Sequence, residues 1–180
     1  MQFEEKIIDI KGGKATLRAP KLSDAQELIE YLIATAGETD FLIRTPQDIC
    51  MTVEQEERFL QHVLNSPDDL MIVCEVDGKI AGNCSLMFMD KVKMRHRANV
   101  GIALLREFWD RGIGTQMFME MEKAARERNV RQMELEVLEG NDRAIHLYEK
   151  MGFRLVSSRP DAFMMQDGTL LSEYFMQKIL

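Results

Sequence analysis

The chain has 180 residues, 46% hydrophobic and 29% charged, the balance of an ordinary globular protein with enough length to bury one sizeable core. A formal net charge of −7 argues against general nucleic-acid binding. No apolar run approaches the length of a membrane span, which argues against a membrane partner. The first residues, Met1-Gln2-Phe3-Glu4-Glu5-Lys6, lack a leader profile. Cys50, Cys74 and Cys84 form no CxxC pair and read as reduced thiols, so a cytoplasmic protein is expected. His62, His96 and His146 are scattered without ligand spacing, and no metal is expected.

Residues 15–18 predict a first strand, stopped by Pro20. Ser23 with Gln26 predicts a capping box for a helix whose apolar face is Leu28, Ile29, Leu32 and Ile33, ended by Gly37. The segment 38–51 reads as irregular, with Pro46 inside it. Thr52 and Gln55 form a second capping box, for a helix with Phe59, Leu60 and Val63 on its buried face. Strands are predicted at 70–76 and about 79–89, joined by the hairpin turn Asp77-Gly78. The basic stretch 91–97 reads as a solvated connection into a strand at 98–105. Gly112 opens a helix with Ile113, Met117, Met121 and Ala125 on one face, ending near Asn129. Next comes a strand in which Met133, Leu135 and Val137 alternate with Gln132, Glu134 and Glu136. Asn141 caps a helix carrying Ala144, Leu147, Tyr148 and Met151 on one face, and Gly152 stops it. Strands at 153–158 and about 173–179 flank a turn at Asp167-Gly168. Helices alternating with strands predict one α/β domain over 1–180, a mixed sheet covered on both faces.

The stretch 100–115, a short apolar strand followed by a charged turn and then Arg111-Gly112-Ile113-Gly114-Thr115, makes an anion site. Glycines let the backbone approach a ligand, and the helix start supplies free N–H groups and a partial positive charge. A P-loop is excluded because no lysine stands between Gly114 and Thr115. A dinucleotide fingerprint lacks its third glycine, since position 117 is Met117. Glu134 and Glu136 nevertheless stand at the distance of a ribose contact, and that reading stays open.

Two motifs carry a family resemblance. Trp109-Asp110-Arg111-Gly112-Ile113-Gly114 is similar to the pattern Q/R-x-x-G-x-G/A, and residues 141–153, NDRAIHLYEKMGF, to Asn…Ala…Tyr-Glu-Lys-x-Gly-Phe. Together, bridged by a helix and a strand, they resemble the core of the GNAT superfamily of acetyl-CoA-dependent N-acetyltransferases. The resemblance implies a mixed central sheet whose middle strands splay apart, with acetyl-CoA as cosubstrate. It implies that the backbone of Ala103, Leu104 and Leu105 pairs with the pantetheine arm, and that amides of Arg111, Gly112, Ile113, Gly114 and Thr115 hold the pyrophosphate. Asn141, Arg143 and Ala144 are implied at the cofactor, with Arg106 and Arg111 as further sources of positive charge. Trp109 departs from the family's Gln or Arg and removes that side chain's contribution.

By the same resemblance Tyr148 is the acid beside the leaving sulfur and Asn141 assists in catalysis. A thiol ionises near pKa ~8.5 and a phenol near ~10, so Tyr148 would work chiefly by position and by hydrogen bonding to the developing charge. Many relatives place Glu at the position of Asn99, which cannot accept a proton. A less basic acceptor amine, or a relay through Glu134, Glu136, Glu38 or Asp40, would meet that need. Glu38, Phe41 and Arg44 stand where the superfamily lines its acceptor site. The function implied is acetyl transfer to a primary amine of a small molecule or peptide, with a homodimer left open. The alternative is a non-catalytic acyl-CoA-binding module.

Overall fold

The computed structural model of the chain describes residues 3–180; Met1 and Gln2, part of the stretch read for a leader profile, lie outside the described residues. Strand formation begins earlier than the pattern predicts. Strand β1 (Lys6–Ile10) pairs antiparallel with β2 (Gly13–Arg18) across a turn at Gly12, whose φ is 89°. The β1 side chains alternate only between half-buried and exposed, a weak signal for a strand covered on one side by little. Helices α1 (Ala25–Glu38) and α2 (Val53–Asn65) follow, then β3 (Asp69–Val76), β4 (Lys79–Phe88) and β5 (Arg97–Leu104). The chain continues through α3 (Ile113–Glu127), β6 (Gln132–Leu138) and α4 (Asp142–Lys150), and closes with β7 (Arg154–Met164) and β8 (Leu170–Ile179).

All eight strands form one mixed sheet in the order β1-β2-β3-β4-β5-β6-β8-β7. Every neighbouring pair is antiparallel except β5 and β6. That parallel pair meets only at Arg97–Gln132, Ala98–Met133 and Asn99–Glu134, and then the two strands part. A fork therefore opens in the middle of the sheet, as the family resemblance implies.

Helices cover both faces. The α1 side chain of Tyr31 reaches Asn83 Oδ1 (3.1 Å) and the Ala103 carbonyl (2.8 Å), which places α1 over the face bearing Asn83, Asn99, Gly101 and Ala103. On the opposite face, Gly114 of α3 stands beside Leu147 of α4 and over Ile102 and Leu104. The core between consists of Leu70, Ile72, Ile80, Leu86, Met117, Phe118, Met121, Met133, Leu135 and Phe153, all nearly inaccessible.

Three local expectations are corrected. Ser23 does not cap α1. It sits in a 3-10 turn (Leu22–Asp24), where Asp24 accepts the Lys21 N–H (2.8 Å) and holds Arg18 in a buried pair that Glu75 completes. Phe59 is half exposed, because the inward stripe of α2 runs through Glu56, Leu60 and Val63. The final hairpin is longer than predicted, with β7 bent by an irregularity between Arg159 and Phe163, where Asp161 has φ 52°. The capping box at Thr52 and Gln55 and the Asp77-Gly78 turn, both residues at positive φ, form as the sequence predicts. Among the described residues no helix is long and apolar enough to cross a membrane.

Candidate active site at the sheet fork

Strand pleating decides which backbone groups face the fork. Met89 N–H donates to the Arg97 carbonyl and Leu105 N–H to the Ala81 carbonyl, so odd-numbered residues of β5 turn toward β4. Gln132 N–H donates to the His96 carbonyl, so even-numbered residues turn toward β6. Beyond Asn99 strand β6 has drawn away, and Val100, Ile102 and Leu104 carry the groups directed into the fork. Ala103 and Leu105 are therefore corrected as backbone partners of a ligand in the fork. The Ala103 carbonyl accepts from Tyr31, and the two peptide groups of Leu105 bond Ala81 and Phe108. Leu104 faces the fork, although its carbonyl accepts the Trp109 indole N–H at 2.8 Å. Ile102 and Val100 were missed, and strand parity was the signal that could have found them.

Trp109, the only tryptophan, thus clamps the end of β5. The guanidinium groups of Arg143 (4.8 Å) and Arg106 (5.5 Å) both lie over its ring. Arg106 is anchored by Glu38, whose carboxylate accepts the Arg106 N–H (2.7 Å) and whose carbonyl accepts from the guanidinium. Arg143 pairs with Asp110, and Arg111 lies over the Phe108 ring at 5.2 Å.

The loop curls through two left-handed residues, Asp110 (φ 58°) and Gly112 (φ 87°), before α3 begins at Ile113. No side chain caps this helix and no acidic residue stands in its first turn. The first intrahelical bond of the loop runs from Gln116 N–H to the Gly112 carbonyl, leaving the amides of Ile113, Gly114 and Thr115 at the helix start for an anion. Lys150 of α4 reaches Thr115 Oγ1 at 3.4 Å and adds a cation there. The sequence reading passed over Lys150; only the packing of α4 on α3 brings it in. That packing is close: a Cβ at Gly114 would stand 2.8 Å from a Leu147 methyl carbon.

Asn141 caps α4, accepting the Ala144 N–H at 3.3 Å, as its sequence position predicts. Tyr148 is buried among Phe118 and Phe153, with ring centroids at 5.6 and 6.3 Å. Its hydroxyl has no hydrogen-bond partner among the described residues and keeps slight exposure. Burial alone pushes this phenol up to about 12.

The four carboxylates considered as proton relays separate by environment. Glu134 is buried, held by both oxygens to Arg97 (2.7 and 3.0 Å) with Gln132 adding a third bond, so it is engaged and not free to relay a proton. Glu38 is engaged by Arg106. Asp40 lies in the exposed turn after α1. Glu136 makes no hydrogen bond or ion pair among the described residues. It stands on the α1 face of β6, just past the point where β5 departs. Partial burial, then Glu173 and Glu134, hold its carboxyl above the ordinary glutamate range, and Arg159 opposes them.

Phe41, from the segment between α1 and α2, lies over Gly140 beside Asn141 (ring carbon 3.7 Å from a built Cβ) and roofs the end of β6. Arg44 is exposed and its charge acts on Glu56 and Asp48, on the α2 side of that segment.

Comparison with known proteins agrees with this geometry. The family described as "Acetyltransferase (GNAT) family" matches residues 38–153. An L-amino acid N-acetyltransferase of Escherichia coli (strain K12) is 22% identical over 139 residues, covering 74% of this chain and 85% of that protein. The crystal structure of a GNAT-family acetyltransferase from Streptococcus pneumoniae superposes with a TM-score of 0.86 at 28% identity, covering 92% of this chain and 99% of that one. A ribosomal-protein-alanine N-acetyltransferase from Brucella melitensis gives a TM-score of 0.78 at 22% identity, covering 91% and 99%. The family match spans the forked strands β5 and β6, the glycine loop that starts α3 and the Asn-capped α4, and the chain belongs to the GNAT family as an acetyl-CoA-dependent acyltransferase.

Proposed function

We propose that the protein moves the acetyl group of acetyl-CoA onto a primary amine by direct attack, with Glu136 taking the amine proton and Tyr148 holding the departing sulfur. The observation that carries this reading is the placement of two unpartnered groups on opposite faces of the fork. Tyr148 rises from the α4 side and Glu136 stands on the α1 side. Acetyl-CoA supplies the activated acyl group. Backbone groups of Ile102 and Leu104 fit its pantetheine arm, and the amides of Ile113, Gly114 and Thr115 with Arg111 and Lys150 fit its phosphates.

The amine arrives from the face bearing Glu136. As its nitrogen bonds to the acyl carbon, the nitrogen proton passes to the Glu136 carboxylate, directly or through water. An N–H of β5 directed into the fork donates to the acyl oxygen as that oxygen gains charge. The C–S bond then breaks and its electron pair leaves on sulfur. With its phenol near 12 against about 8.5 for a thiol, Tyr148 does not need to surrender its proton; a hydrogen bond to the thiolate suffices. A glutamate raised above its ordinary range is the better base for this task, and it replaces the side chain that Asn99 cannot provide.

Asn141 supports the reading as the residue that fixes the start of α4 and hence the position of Tyr148. The acceptor is an amine of a small molecule or a peptide, and the free thiols Cys74 and Cys84, both buried, suit work in the cytoplasm. A homodimer joined along β7 also belongs to the proposal, because that strand is the open edge of the sheet and exposes Leu155 and Val156. Acetyl-CoA turnover across a panel of amines, with the acetylated product identified by mass, tests the reaction. Tight acetyl-CoA binding without product from any amine would leave a binding module in its place.

A further inference from the structure

Beside the fork, on the α1 face, the outer part of the sheet bears a depression of about 530 Å³. The register builds its floor in rows across three strands. Glu136 of β6 lies opposite Phe175 of β8, which lies opposite Ser157 of β7. In the next row Glu173 of β8 lies opposite Arg159 of β7. Arg159 is the only cation in the lining, and it pairs with Glu173 at 2.9 Å. Glu136, nearest the fork, has no such partner among the described residues. Arg154 shares the face two strands from β6, outside the depression, and Arg97 is occupied by Glu134.

We infer that this depression receives the N-terminal amine of a polypeptide, with the chain running from Glu136 outward over Phe175 and Ser157, in preference to a free amino acid. The inference rests on the acetyltransferase reading above and names its acceptor. A free amino acid brings a carboxylate within a few ångströms of its amine, and here that carboxylate would face Glu136 and Glu173 with no unengaged cation to meet it. A peptide replaces the carboxylate with a neutral amide, and Ser157, on the same face as Glu136 and Phe175, offers its hydroxyl to it. An α-amino group, with pKa about 8, is neutral around a tenth of the time at pH 7, whereas a lysine amine near 10.4 is neutral only once in some thousands. A single glutamate base suits the first.

The test is a set of acceptors sharing one N-terminal residue, offered to the intact protein with saturating acetyl-CoA: the free amino acid, its carboxamide, a tripeptide, and an Nα-blocked tripeptide containing lysine. Product is identified by mass. The expected order in kcat/KM is tripeptide at or above carboxamide, both at least about tenfold above the free amino acid, with the blocked peptide lowest. Ser157→Arg, which puts an unengaged cation in the exposed lining, should shrink the gap between carboxamide and free amino acid. A free amino acid that is the best acceptor, a tripeptide that is refused, or a preference for the lysine amine would each overturn the inference while leaving the acetyltransferase reading intact. No product from any amine would overturn both.

Discussion

Replacing Tyr148 by phenylalanine isolates one hydroxyl. The ring contacts with Phe118 and Phe153 remain, and the hydroxyl gives up no bond to the protein. Stability should therefore change by less than about 0.5 kcal/mol. The catalytic effect follows from protonation. A phenol pushed up from about 10 to about 12 by burial is favoured in its neutral form by about 3 kcal/mol more than in water. Complete transfer of its proton to a thiolate of pKa about 8.5 would run uphill by several kcal/mol, on the order of 5, so the hydroxyl acts as a fixed donor. One preorganised donor to a developing charge is worth about 10²- to 10³-fold, or roughly 2.7–4 kcal/mol. Tyr148→Phe should lower kcat by that factor and leave the KM for acetyl-CoA within about threefold. Chromatographic separation of the product is the suitable assay, because the exposed Cys50 would react with a thiol reagent. Turnover kept above about a fifth of wild type would remove Tyr148 from the mechanism. A wild-type rate that changes near pH 10 and ceases to do so in the variant would keep Tyr148 in the mechanism and refute the fixed-donor role, since the hydroxyl would then be titrating as an ordinary phenol.

Three further outcomes are expected. The acidic limb of the kcat/KM profile should lie above the ordinary glutamate range, activity rising with pH as Glu136 ionises, and Glu136→Gln should remove that limb together with most of the activity; an unchanged profile would point to another base. Gly112→Glu places a side chain at φ 87° and a negative charge beside the helix start, and should weaken acetyl-CoA binding at least about tenfold by calorimetry. Arg97→Met leaves the buried Glu134 carboxylate without its cation and should cost about 3 kcal/mol, lowering Tm by about 6–12 °C; a Tm within about a degree of wild type would show that the pair contributes little.

How far the chain could be read depended on whether a feature is local. Gly112 at a helix start, Asn141 at a cap, the Thr52–Gln55 box and the Asp77-Gly78 turn are each decided by neighbours within a few residues, and each takes its expected form. Features decided across the sheet were hidden. The burial of Glu134 in an ion pair could not be read from the chain, because its partner Arg97 lies 37 residues away and becomes a neighbour only through the parallel pairing. Ser23 is drawn into a 3-10 turn before α1, and Asp24 at the helix start turns its carboxylate to Arg18 and the Lys21 N–H without capping the helix. Glu136 was named among four relays, but nothing in its surroundings in the chain separates it from Glu134. Strand parity sets Ile102 and Leu104 toward the fork, and parity is readable only once a neighbouring strand supplies the reference.

The three-pair seam between β5 and β6 has a mechanical meaning. On one side lie β1 to β5 with α1 and α2; on the other, β6, β8 and β7 form an antiparallel block of their own. Two stiff plates thus meet along a short weld, and a ligand bonded to the free edge of β5 lengthens that weld. Loading the cosubstrate should then do more than fill a slot. It should couple the opening fluctuations of the two plates, so that slow amide exchange spreads outward from the fork into β6 and β8, far from any atom the ligand touches.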